Sequence, residues 1–95
     1  MKKNYPDKLE QTALIEHIED TVELENLSTR HIVLWWSEGG IDKYLKLKAK
    51  NRKCQMLDRF KTGDNVTVTF SIQCKKNNGS FYQNLLLIYI KNAND

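Results

Sequence analysis

The chain has 95 residues, 40% of them hydrophobic and 28% charged, with a formal net charge of +3. That is enough for one domain with a core of its own, without a disulfide or metal to hold it together. No apolar run is long enough to span a membrane.

The charge is unevenly spread. Met1 to Asp42 carries four basic and nine acidic residues, a net of −5, whereas Lys43 to Asp95 carries eleven and three, a net of +8. Basic residues gathered in this way mark a polyanion-binding surface, although solvated strand faces also carry lysine for solubility.

Met1 to Lys8 is polar and holds the only proline. It is expected to be a flexible lead-in, and with no apolar core behind its lysines it does not resemble a secretory signal. Between Leu9 and Leu27 the pattern suits two structures. Leu14, Ile18 and Val22 fall at helical spacing, while Ala13 to Ile18 followed by Thr21 to Leu24 also suits extended chain. The strand is preferred because the elements that follow need a first strand to close their sheet. Asn26 to Thr29 is the expected turn.

Arg30 to Trp36 is β-branched and aromatic and too short for a stable helix. Gly39 and Gly40 then allow a reversal. The chain returns through Lys43 to Lys50, where Leu45, Leu47 and Ala49 alternate with Tyr44, Lys46, Lys48 and Lys50. Such a strand has one dry face and one bearing three lysines and a tyrosine. Asn51 to Phe60 reads as a short helix capped by Asn51, with Cys54, Met56, Leu57 and Phe60 on its apolar side. Arg52 and Lys53 stand in its first turn, where acids would suit the dipole better, so these two charges are expected to serve something other than the helix.

Lys61 to Asp64 is a turn into the clearest strand of the chain. There Val66, Val68, Phe70, Ile72 and Cys74 alternate with polar residues, and all five are expected to point inward. Asn78-Gly79 closes a tight hairpin, and Phe81 to Ile90 returns as a strand apolar on both faces. The expected fold is mainly β: a five-stranded OB barrel with one short helix between strands 3 and 4, occupying residues 9–92, with 93–95 as a tail.

The second half carries Leu45-Lys-Leu47, Leu57-Asp-Arg-Phe60, Gly63-Asp64, Val66-Thr-Val68-Thr-Phe70-Ser-Ile72, Asn78-Gly79 and Phe81-Tyr82. In these motifs the chain resembles the bacterial single-stranded-DNA-binding OB domains, and among them a group of small, uncharacterised bacterial members. The likeness covers about half the chain well and the first forty residues loosely. It implies an OB fold and contact with single-stranded nucleic acid, DNA ahead of RNA. Two departures stand out. Lys50 occupies the end of the third strand, where the family often has an aromatic. The chain also closes on Asn92-Ala-Asn-Asp95 without the acidic tail that bacterial single-strand binders use to recruit partners, so a hub role is not implied.

Single strands are held by a positive groove that follows the phosphates and by aromatic rings on which bases stack. The candidate cations are Lys46, Lys48, Lys50, Arg52, Lys53, Lys75 and Lys76. The candidate platforms are Tyr44, Trp35 or Trp36, Phe81, Tyr82 and Tyr89, with Trp35, Tyr44 and Tyr82 preferred. Each has a plainer alternative: strand lysines guard edges against aggregation, and aromatics fill cores. Trp35 and Trp36 must face opposite sides, with the alternation favouring Trp36 inside and Trp35 outside; one of Phe81 and Tyr82 is expected in the core.

No catalytic or metal site is expected. His17 and His31 have no nucleophile or ligand set nearby, the acidic run from Glu16 to Glu25 lacks ligand spacing, and no phosphate loop or nucleophile elbow is present. No cofactor is implied. Cys54 and Cys74 read as free thiols of a reducing cytosol, so a cytoplasmic location is expected, with a homodimer or higher homo-oligomer as the assembly. The alternative function is a protein-interaction or oligomerisation OB domain without a nucleic-acid ligand.

Overall fold

A computed structural model describes residues 8–94; the lead-in expected over Met1 to Lys8, apart from Lys8 itself, and the final Asp95 lie outside the described residues. The ambiguous first stretch is extended. β1 runs Leu9–Ile18 and β2 is a three-residue strand, Val22–Leu24. β3 (Leu27–Glu38) and β4 (Ile41–Lys50) form a long hairpin, and β5 (Asn65–Asn77) and β6 (Ser80–Asn92) form a longer one. Both hairpins close on residues of positive φ: Gly39 (61°) and Gly40 (79°) in the first, Asn78 (53°) and Gly79 (82°) in the second. Positive φ at both central positions gives a turn whose twist matches its strands.

The sheet order β1-β5-β6-β4-β3-β2, with a further β1–β3 pairing, closes five of the strands into a barrel. The closing contact between β4 and β6 is parallel and rests on Lys48 opposite Leu86. β2 hangs on the outer edge of β3 and takes no part in closure. Counting it corrects the expected order, because the helix follows the fourth strand of the chain rather than the third.

That helix is also shorter than expected. One α-turn, α1 (Lys53–Met56), passes into a 3-10 turn at Leu57–Arg59. Asn51 does not cap it. Its φ of 55° and its Oδ1, which accepts from the Ser28 N–H at 3.2 Å, tie the end of β4 back to β3 instead. The helix buries Cys54 and Leu57 against the barrel core, with Met56 and Phe60 packed beside them.

The core takes Ala13 and Ile15 from β1, Ile32 and Leu34 from β3, Leu47 and Ala49 from β4, Val66, Val68 and Phe70 from β5, and Leu87 and Ile90 from β6. The inward phase of β5 then runs out of barrel. β1 covers β5 only from Asn65 to Phe70, so beyond Phe70 β5 loses its neighbour on that side, while β6 still meets β4 at Leu86 opposite Lys48 before the hairpin projects as an arm. Ile72 is 50% exposed and Cys74 is exposed, contrary to the inward placement expected for both. Phe81 (70% exposed) and Tyr82 (55%) both lie outside the core for the same reason. At the other end, the Ala93 N–H donates to the Asn65 carbonyl at 2.9 Å and carries the β5–β6 pairing one step further.

Candidate nucleic-acid interface

The register of the β3–β4 hairpin decides which candidate residues meet. Trp35 stands opposite Tyr44, Val33 opposite Lys46, His31 opposite Lys48 and Thr29 opposite Lys50. Opposed residues share a face, and Ile32 and Leu34 are fully buried, so this row is the outer face. Trp36 packs against the core and Trp35 is half-buried, in line with the alternation. Tyr44 is 59% exposed.

Lys48 is also opposite Leu86, and Leu86 is opposite Ser71, which brings the face of the β5–β6 hairpin into the same surface. Because β4 and β6 run parallel, Asn84 and Tyr82 lie on the side of Leu86 that Lys46 and Tyr44 occupy beside Lys48. Lys75 pairs with Tyr82 and belongs to this phase. Lys76 does not: it pairs with Phe81 on the other phase of the arm, and its Nζ sits 5.9 Å from that ring's centroid. Five of the expected cations, Lys46, Lys48, Lys50, Lys53 and Lys75, thus share a face or its margin. Arg52 is exposed just before the helix and lines neither hollow described below, and Lys76 is turned away.

Two shallow hollows mark the seam between β4 and β6. One, of about 240 Å³, is lined by His31, Lys46, Lys48 and Gln83 to Leu85. The other, of about 140 Å³, is lined by Lys48, Lys50, Lys53, Ser71 and Leu86 to Ile88. Lys53 therefore occupies a helix N-terminus that would prefer an acid while lining a basic hollow.

Two residues of this surface carry no signal in the sequence. His31 faces Glu19, Nδ1 to Oε1 at 3.4 Å, and Lys46 Nζ lies 3.4 Å from Glu19 Oε2. His31 reads as an ordinary strand residue and Glu19 as one member of a solvated acidic run. Only the β3–β4 register and the path of the chain after β1 bring them together. Among the described residues no group of three or more His, Cys, Asp or Glu is placed to hold a metal, and no helix is long and apolar enough to cross a membrane. The Cys54 thiol donates to the Ala49 carbonyl at 3.5 Å, and burial pushes its pKa up.

No family model and no curated protein matches the sequence. The fold does match solved structures. The single-stranded-DNA-binding domain of a Synechococcus protein superposes with a TM-score of 0.70 at 13% identity, covering 94% of this chain and 98% of that one. The second single-stranded-DNA-binding protein of Mycobacterium smegmatis gives 0.69 at 10% identity, over 94% and 90%. A small single-stranded-DNA-binding protein from Streptomyces coelicolor gives 0.62 at 12% identity, over 90% and 92%. Barrel closure, the helix between the two long hairpins and these superpositions together show that the chain has an OB-barrel fold, shared with these solved domains.

Proposed function

We propose that the protein binds single-stranded nucleic acid, DNA in preference to RNA, as a non-catalytic module. The observation that carries this reading is the β3–β4 register, which sets Trp35 and Tyr44 side by side at one end of a row formed by Lys46, Lys48 and Lys50. OB barrels bind oligonucleotides on the face of their second and third barrel strands and with the loops beside it. Here those strands are β3 and β4. Bases stack on the exposed aromatics while phosphates follow the lysines, and the arm contributes Lys75 and Tyr82. The protein acts in the cytoplasm, as a homodimer or higher homo-oligomer. The domain spans residues 9–92.

The test is fluorescence anisotropy of a labelled poly-dT strand of about 30 nucleotides, a length that exceeds the site of one OB fold, at low and moderate salt. Binding that weakens with salt and quenches tryptophan emission is the expected result. An absence of binding at low salt overturns the reading and leaves the protein-interaction domain as the function to pursue.

A further inference from the structure

Of the acidic residues between Glu16 and Glu25, Glu19 alone reaches the basic face. Its main chain is held on both sides. The Glu19 N–H donates to the His31 carbonyl at 2.9 Å, and its carbonyl accepts from Arg30 Nε at 2.7 Å. Arg30 is fixed in turn by Asp58 at 2.7 Å and by the Cys54 carbonyl at 3.0 Å. From this anchored position the carboxylate lies over β3 and β4 with one oxygen on each of two partners, His31 and Lys46. Both partners line the larger hollow.

An anionic group with one oxygen on each of two donors is also how a phosphate would sit there. We infer that Glu19 is a built-in occupant of the groove, holding His31 and Lys46 in the place of a strand phosphate, and that a bound strand displaces it. This inference rests on the nucleic-acid reading above. A tethered group competes at an effective concentration of about millimolar order. A single nucleotide, with one phosphate contact to offer, does not displace it, whereas a strand adds the contacts of Lys48, Lys50 and the aromatic pair and does. Glu19 is therefore a specificity-determining residue that selects strands over short fragments.

The test measures the affinity of the full chain for labelled poly-dT of about 30 and about 6 nucleotides, lengths above and within the site of one OB fold. Glu19→Gln is expected to tighten binding about twofold to fivefold, the equivalent of one exposed ion pair, Glu19–Lys46, with the larger gain for the short strand. The salt slope is expected to stay close to that of the native chain, because the strand makes the same Lys46 contact once Glu19 is displaced. Glu19→Asp keeps the charge but shortens the reach, and is expected to move affinity the same way. Glu10→Gln makes the same charge change opposite Thr69 on the β1–β5 side, and is expected to leave affinity within about twofold, as for a remote screened charge. Equal gains from Glu19→Gln and Glu10→Gln would reduce the effect to net charge and overturn the inference. An unchanged or weakened Glu19→Gln variant, in a chain whose binding Lys46→Ala still lowers, sinks the Glu19 inference alone. Failure of both the native chain and Glu19→Gln to bind sinks it together with the nucleic-acid reading.

Discussion

Trp35 and Tyr44 stand directly opposite one another across β3 and β4, one half-buried and the other 59% exposed. The pair joins a ring anchored by the barrel to a ring open to solvent. Tyr44→Ala is expected to weaken poly-dT binding by about 1 to 3 kcal/mol, the scale of one lost base stack. Its exposure limits the cost to folding to about 0.5 kcal/mol. Anisotropy titration beside a urea melt separates the two, and a large loss of stability with the affinity retained would place Tyr44 in the scaffold rather than the site.

Lysines on the face and lysines off it are expected to differ. Lys46→Ala combined with Lys48→Ala removes two groove charges, and is expected to lower affinity and flatten the salt slope by about 1.4, at about 0.7 per phosphate contact. Lys76→Ala removes a charge turned to the other side of the arm, and the slope is expected to hold. Equal effects at the two places would mean that the barrel attracts the strand through its overall charge without a defined groove.

The arm and the barrel are expected to differ in stability in the same way. Leu47 is fully buried, and Leu47→Ala is expected to cost about 2 to 5 kcal/mol. Ile72→Ala, on the apolar alternation of β5 but half-exposed, is expected to cost less than about 1 kcal/mol, because little apolar surface returns to water. Denaturant midpoints at constant slope give both values, and similar costs would mean the arm is packed in solution.

The two cysteines are expected to react at very different rates. Cys74 is exposed on the arm, whereas Cys54 is buried, and burial pushes its thiol pKa up, so little thiolate forms near neutral pH. A disulfide reagent near pH 8 is expected to modify one thiol promptly and the second only on unfolding. Raising the pH speeds the slow thiol, since its thiolate is the nucleophile. Two fast thiols would mean the α1 turn opens readily.

The elements themselves were legible in the residues. The period-two alternation from Asn65 to Cys74, the positive-φ pair Asn78-Gly79 and the return of Lys43 to Lys50 are local properties, set by side-chain spacing and turn chemistry. They were enough to identify the hairpins, the inward Leu47 and Ala49, and the outward lysines. The opening stretch was settled only by the pairing of β1 with β3 and β5, because its apolar spacing suits helix and strand alike.

Burial along β5 was beyond local reading. Val68 and Ile72 belong to the same alternation, yet one is fully buried and the other 50% exposed, because a strand is covered only where another strand or the helix reaches it. Cross-strand partners were hidden too. Trp35 meets Tyr44, and Glu19 meets His31 and Lys46, only through a register set by the whole hairpin and by where the chain leaves β1. Residue types and their periods thus determined the strands, the turns and the pool of basic and aromatic groups. The tertiary structure decided which of them share a face, since proximity between distant residues depends on register and closure, which no single segment contains.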